Sequence, residues 1–495
     1  MIPRVHRLLP AVVGSVLVLA YLVTAPLGRA QGKHRVAHAA APVDTSATAL
    51  MISDLHFDPF HDPGKAQLLA HTPVAQWQGV LKSPPSPDQA EAFDDLQKKC
   101  HARGVDTPYP LLMAAFQGMH ARQPDPDFIT ITGDLIAHGF DCRYKALVQA
   151  QTPQEYSEFV ANTIEFVVNQ LRGTYPGVPI YASLGNNDTD CGDYHLDPHD
   201  ALLARSATAI GDALPPGERR HAEAEFATGG YYSVAMAPPM LDTRIIVLND
   251  VFFSSNYRNC AKAADPAPAA AEIAWLGQTL AQAHEDGQNV WVIGHIPPGV
   301  NVYATVKGMA DVCGSGSAAM FMDSGGIDGL LTQYAEIVRL GLFAHTHMDE
   351  IRLVTPDGGG ADQGVPLKLV PSISPVDGNN PSFTLAKVEP STATVKDFDV
   401  FVGSNQTGAG ITWTEDYDFD RAYGQTAFTA ATVASVISEF RGDPKAQTGA
   451  SQQYIKSYFK GDGARELAPF WPQYTCSLAN LTAASYKACV CGAAK

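Results

Sequence analysis

The chain has 495 residues, with 51 acidic against 34 basic side chains and a formal net charge of −17. No long basic stretch interrupts that acidity, which argues against a nucleic-acid backbone as the main partner. The length is ample for one large domain plus an appendage.

Arg4, His6 and Arg7 precede an apolar run from Leu8 to Leu27, and Gly28-Arg29-Ala30 follows. A basic start, an apolar core and small residues at a cleavage point read as a secretory signal peptide over residues 1–30. The apolar run is nearly long enough to span a bilayer, so a retained anchor is the competing reading. Pro10, Gly14, Pro26 and the Ala-rich stretch behind them favour cleavage. Residues 31–45 then form a flexible linker, and the mature protein is secreted or periplasmic, with no stable membrane span. The eight cysteines, an even number in an exported chain, predict disulfides. Only Cys489 and Cys491 stand close together and no Cys-x-x-Cys occurs, so a cysteine metal site fits poorly.

Five short apolar runs organise the chain. Leu50-Met51-Ile52-Ser53 leads to Asp54-Leu55-His56, and Phe128 to Thr132 leads to Gly133-Asp134. Ile180 to Leu184 leads to Gly185-Asn186-Asn187-Asp188, Val290 to Ile293 to Gly294-His295, and Leu340 to Phe343 to Ala344-His345-Thr346-His347. Each run suits a strand buried on both faces, as in a parallel sheet. Ligands of open α/β sheets gather beyond the carboxyl ends of strands, and every metal-type ligand here falls there. An Asp and a His two residues apart can offer one oxygen and one nitrogen to the same ion.

Between these runs, residues 57–125 form a long insertion with a helical stretch from Pro110 to Ala121. It is either a substrate rim or a surface elaboration. A helix starts near Thr152, with Pro153 at its first position, and stops at Gly173. Its Ile164, Phe166, Val167, Val168 and Leu171 read as core. The loop after the third motif carries Cys191, His195 and His199; the histidines are ordinary loop residues or line the site. Arg244 to Leu248 reads as a further buried strand ending in Asn249-Asp250, followed by a helix from about Pro268 to His284. A Gly-rich loop with Cys313 is a candidate mobile wall. Past His347, residues 351–354, 367–370, 383–385 and 394–395 alternate, which predicts antiparallel strands of a second sheet. Thr429 to Phe440, Ser451 to Phe459 and Leu478 to Lys487 look helical, with Cys476, Cys489 and Cys491 among them.

Asp54-x-His56, Gly133-Asp134, Gly185-Asn186, Gly294-His295 and His345-x-His347, in this order, resemble the calcineurin-like metallophosphoesterase superfamily over residues 46–400. Asp54 to Pro59, Gly133 to His138, Ser372 to Pro375, Asn379 to Phe383 and the Cys-bearing tail narrow the resemblance to the acid sphingomyelinase-like phosphodiesterases. The resemblance implies a four-layer α/β/β/α sandwich over residues 46–410. A small helical, disulfide-stapled appendage over 411–495 would carry a Cys476–Cys489 bridge. It also implies two divalent metal ions, zinc by the histidine-rich set, with iron or manganese also fitting. Asp54, His56, Asp134 and His347 would hold one, and Asp134, Asn186, His295 and His345 the other. The implied reaction is in-line attack on a phosphodiester by a metal-bridging hydroxide.

Two departures stand out. The chain leaves no room for an N-terminal saposin domain. Asn187 also replaces the histidine of the family's Gly-Asn-His-Glu/Asp, leaving His138 as the best proton donor. His138 is either that acid or a support for the metal shell. Asn187 could hydrogen-bond a phosphate oxygen. The expected function is an exported phosphodiesterase acting on a phosphocholine ester, nucleotide or glycerophosphodiester. A phosphomonoesterase or nucleotidase, or a non-catalytic binder of phosphate compounds, is the alternative.

Overall fold

The computed structural model describes residues 46–149, 152–309, 311–322, 326–356, 359–461 and 467–492. The expected signal peptide and linker lie outside them. Two six-stranded sheets carry the architecture. In the first, β1 (Ala47–Ile52), β2 (Phe128–Thr132) and β3 (Ile180–Ser183) run parallel, with Leu50 opposite Ile129 and Ile129 opposite Ile180. In the second, β4 (Tyr232–Ala235) pairs antiparallel with β5 (Thr243–Val247), which continues in parallel through β6 (Asn289–Ile293) and β7 (Val338–Phe343). Three of the four β3 side chains are apolar and all four are buried, as are all five residues of β2. Burial on both faces is what a parallel sheet covered by helices demands. The helices supply that cover, among them Pro153–Thr174, whose first turn is closed by a reciprocal Thr152–Glu155 capping box.

Between the sheets, Phe128 meets Trp291 edge-on with ring centroids 5.5 Å apart. The Tyr232 hydroxyl receives the Ala182 N–H at 3.0 Å and donates to the Ala182 carbonyl at 3.2 Å, tying the sheet edges. The sheets also meet at their carboxyl ends, where Ser183 Oγ donates to the Gly294 carbonyl at 3.4 Å.

Of the four segments expected as antiparallel strands of one second sheet, only two join that sheet. β8 (Glu350–Val354) pairs antiparallel with β9 (Val365–Leu369), and β9 lies parallel to β7. β10 (Ser382–Glu389) and β11 (Thr394–Gly403) return to the first sheet, β10 antiparallel to β1. Alternation reports a strand with one exposed face; it does not say which sheet offers the open edge. The region expected to be helical from 411 opens instead on β12 (Trp413–Asp418), paired to β11 through buried Trp413 and Tyr417. Of the helix expected over Leu478 to Lys487 only the second half forms, within Ala483–Gly492, and a separate helix, Trp471–Ser477, precedes it. The Thr482 hydroxyl accepts the Ser485 N–H at 3.1 Å and starts the second.

All eight cysteines are paired: Cys100–Cys142, Cys191–Cys260, Cys313–Cys491 and the expected Cys476–Cys489. Cys313–Cys491 tethers the expected mobile wall to the C-terminal segment. Among the described residues, no helix is long and apolar enough to cross a membrane.

The C-terminal segment is also held by buried charge. Asp349, two residues after His347, contacts Lys368 Nζ and Lys460 Nζ, the latter at 2.6 Å, and Lys460 reaches Asp416 at 2.8 Å. Burial opposes the Asp349 charge, but the two lysines hold its carboxyl below the usual range. Replacing Asp349 with Ala leaves both lysines buried without their shared partner, a change that typically costs about 3–5 kcal/mol. Asp349→Ala is therefore expected to lower the urea midpoint strongly at neutral pH; a midpoint equal to wild type would show the network to be dispensable.

Candidate metal centre

The carboxyl ends of β1, β2, β3, β6 and β7 bring all seven expected ligands to one place. His56 Nε2 lies 3.4 Å from Asp134 Oδ2 and 3.1 Å from His347 Nε2, and His347 Nε2 lies 3.4 Å from Asp54 Oδ1. On the other side of Asp134, His295 Nε2 stands 3.3 Å from the same Oδ2 and 3.1 Å from Asn186 Oδ1. Donor atoms of Asp54, His56 and Asp134 all fall within 4.8 Å of one another, and so do those of Asp134, His295 and His345. Asp134 belongs to both groups.

The backbone reaches this arrangement by sharp turns. Asp54, His56, Asp134, His345 and His347 all adopt left-handed φ, from 39° to 69°. That region disfavours side chains with a Cβ, and such strain collects at functional sites. Glycine makes the close approach: a Cβ on Gly185 would collide with the Asp134 carboxylate, and one on Gly133, at φ 88°, would lie 2.7 Å from His295 Nδ1.

The donor chemistry fits a divalent cation. Both Asp54 oxygens are buried and accept no hydrogen bond, an arrangement that is expensive for a bare carboxylate. His56 Nδ1 lies 3.0 Å from the Ile136 carbonyl and His295 Nδ1 2.8 Å from the Thr132 carbonyl. A carbonyl only accepts, so each Nδ1 carries a proton and Nε2 is the nitrogen that faces the centre. Burial, followed by His138, holds His56 well below the usual imidazole range; burial, followed by His295, does the same for His345. Both are thus neutral, as metal ligands must be. Burial also pulls on His295, yet Asp134 and Asp54 push it up to about 10, the mark of a strongly negative field.

A second ring of groups orients these donors. Asn187 donates its backbone N–H and its Nδ2 to the two oxygens of Asp134, each at 2.9 Å. Position 187 therefore steadies the shared carboxylate, whereas the sequence suggested a phosphate contact. Asn186 Nδ2 donates to Asp193 at 2.7 Å, which turns its Oδ1 toward His295. Asp188 accepts the N–H groups of Leu135, Ile136 and Gly185, and Asp250 those of His295 and Ile296. The Tyr194 hydroxyl lies 3.1 Å from His345 Nε2.

His138 stacks on His56 with centroids 4.0 Å apart. Asp106 accepts its Nδ1–H at 2.9 Å and its backbone N–H at 3.0 Å. Arg103 Nη2 approaches its Nε2 at 3.1 Å, and buried Arg143 grips its carbonyl and Asp58 at 2.9 and 2.7 Å. Asp377 contacts His347 Nδ1 at 3.1 Å. Arg103 and Asp106, from the long insertion, and Asp377, from the loop after β9, carry no periodic signal and were not singled out from sequence. Asp250 had one, as the acid closing the Arg244 to Leu248 run. His195 and His199 are absent from the converging donor groups among the described residues.

Residues 47–349 match the family model described as calcineurin-like phosphoesterase. The chain belongs to that family, whose members are phosphoric ester hydrolases. Within it, the chain is 27% identical to acid sphingomyelinase-like phosphodiesterase 3b of Mus musculus over 408 residues, covering 79% of each. It is 23% identical to the cyclic GMP-AMP phosphodiesterase SMPDL3A of Mus musculus, covering 89% of this chain and 90% of that one. Sphingomyelinase phosphodiesterase C of Dictyostelium discoideum is 26% identical, covering 63% of this chain and 66% of that one. A solved dimetal phosphatase from Danio rerio is 12% identical, covers 74% of this chain and 98% of its own, and has a TM-score of 0.39.

A cation that binds only the folded chain stabilises it by about 2.7 kcal/mol at a hundredfold excess over its Kd. Chelator-treated protein should therefore unfold at a clearly higher temperature when zinc is restored. Asp54→Ala should lose most of that gain, and an identical gain in wild type and Asp54→Ala would refute the ligand role.

Proposed function

We propose that this chain is an exported phosphodiesterase working with two divalent cations, zinc foremost, with iron or manganese as alternatives. The observation that carries the reading is the shared membership of Asp134 in both donor groups. Asp54, His56, Asp134 and His347 would hold one ion, and Asp134, Asn186, His295 and His345 the other. When bound, such a pair neutralises phosphoryl charge and makes water a nucleophile near neutral pH. The names of the similar proteins support a diester as substrate. A phosphocholine ester, a nucleotide or a glycerophosphodiester satisfies that chemistry. Export is supported by the apolar N-terminal stretch and by four disulfides, which persist in oxidising compartments.

The protein's own groups then do the following. Asn187 fixes the Asp134 carboxylate between the donor groups. Asp106 holds His138 by Nδ1 and so sets the direction of Nε2. Burial works against the Asp106 charge, but His138 beside it and Arg143 keep its carboxyl well below the usual range, so it stays an anion that can support a protonated imidazole. Arg103 donates to His138 Nε2 in the resting site, so His138 delivers a proton to the departing ester oxygen once Nε2 is protonated and that contact is released, a step worth typically about 10²–10⁴-fold.

Asp134→Asn should abolish hydrolysis of bis-p-nitrophenyl phosphate and reduce the bound metal at both positions by elemental analysis. His138→Ala should slow an alkyl diester by about 10²–10⁴-fold while barely affecting the p-nitrophenyl diester, whose leaving group needs no proton. Equal loss on both would place the proton donor elsewhere. Faster turnover of p-nitrophenyl phosphate than of its diester would instead make the chain a phosphomonoesterase.

A further inference from the structure

On the His138 side the centre borders a hollow of about 550 Å³. Its walls come from three separate stretches: the end of the insertion at Arg103 to Val105, the loop at Pro375 to Gly378, and Gln406 with Thr407. Arg103 is the one cation in that lining and Asp377 the one anion, and no aromatic ring takes part. The Arg103 side chain is about half exposed (53%), with Nε 3.5 Å from Asp377 Oδ1 and Nη2 3.1 Å from His138 Nε2. Asp377 is already engaged by His347; burial pushes its carboxyl up, but His347 and Arg103 outweigh that and lower it to about 2.

The arginine is placed by a built scaffold. The Cys100–Cys142 bridge pins the chain three residues upstream, and Gln97 Nε2 donates to the Gly104 carbonyl at 2.7 Å. Gly104 packs so tightly on the Val376 carbonyl that a Cβ would clash. Downstream, Thr107 exchanges backbone hydrogen bonds with His56 and Asp58 at 3.1 and 2.9 Å. A side chain set between two fixed backbone contacts reaches the same point each time, which is what substrate recognition requires.

From this we infer that Arg103 is a specificity-determining residue: it binds a second anionic group on the leaving side of the diester. The inference rests on the phosphodiesterase reading above and adds a substrate class to it. A guanidinium is a fixed cation with five N–H donors, two of which meet Asp377 and His138. Two phosphate oxygens match the remaining fork. Its distance from the metal donors supports the leaving side. One imidazole, that of His138, separates Nη2 from His56 and His347. The scissile phosphoryl sits on the metal side of that ring, and a substituent beyond the ester oxygen falls on the Arg103 side. A quaternary ammonium leaving group finds no aromatic face in the lining and meets a like charge, so it is disfavoured.

The test uses the metal-loaded protein and three substrates. The leaving group of ADP-ribose is a phosphate monoester, that of bis-p-nitrophenyl phosphate is a p-nitrophenolate with no phosphoryl group, and glycerophosphocholine presents a cation. Arg103→Ala should lower kcat/KM for ADP-ribose about 10- to 100-fold, mostly through KM, the worth of one charged hydrogen bond. Bis-p-nitrophenyl phosphate should change less than about twofold, and glycerophosphocholine should not fall. Arg103→Lys should recover part of the loss, since it keeps the charge and loses the fork. Pyrophosphate should inhibit wild type more tightly than inorganic phosphate, and that difference should vanish in Arg103→Ala. A fall on glycerophosphocholine with bis-p-nitrophenyl phosphate unchanged would mean that Arg103 acts through His138, since that alkoxide needs a proton, and overturns the inference; so does an equal fall on all three substrates, or no change on any. Wild-type turnover of bis-p-nitrophenyl phosphate tests the underlying reading separately. Its presence with unchanged Arg103→Ala behaviour removes this inference alone, and its absence removes both.

Discussion

Two carboxylates, Asp54 and Asp134, are buried where the carboxyl ends of the two sheets meet, and the surrounding structure exists to make that tolerable. Burial, with the neighbouring Asp134 charge behind it, raises the Asp54 carboxyl, and His347 is the main opposing influence. At Asp134 burial is outweighed by His295 and His56, and the group stays well below the usual range. Each histidine is turned inward by a backbone carbonyl or a carboxylate behind it. The two sheets supply these histidines separately, so the site exists only when both sheets have closed on each other.

The insertion between the first two motifs follows from the same constraint. Its far end, residues 100–107, is threaded through the site wall, carrying one residue to each nitrogen of His138. The disulfide to Cys142 and the Arg143–Asp106 contact at 3.6 Å fasten this strip to the helix that follows the Asp134 loop. The sequence left two readings open for the insertion, rim or surface elaboration; its far end lies against the donor cluster through His138. The buried Asp349–Lys460 pair does a related task on the opposite flank, joining the chain just past His347 to the C-terminal segment.

The convergence of the seven expected ligands was legible because each follows an apolar run whose burial is written in consecutive residues. The parallel core strands and the long helix from Pro153 were legible for the same reason, as was the cap that begins it. Arg103, Asp106 and Asp377 were not, because loops have no period and their meeting depends on three distant stretches folding together. The destination of β10 and β11 was also hidden: an alternating pattern shows that one face is buried and is silent about which edge it joins. Asn187 was visible as a departure, but its target was not. Only the fold reveals that both of its N–H groups face Asp134.

The left-handed backbone at Asp54, His56, Asp134, His345 and His347 bears on the history of the sequence. Each such residue carries about 1–3 kcal/mol that glycine would relieve. Drift under selection for folding alone would run downhill toward glycine at these five places, since a chain kept only for its shape gains by losing them. Here all five are aspartate or histidine, and Asp54, His56, Asp134 and His347 are buried, where a polar side chain is a further burden. The turns that shape the site are thus a standing cost to the fold, offset by the donor groups they bring together.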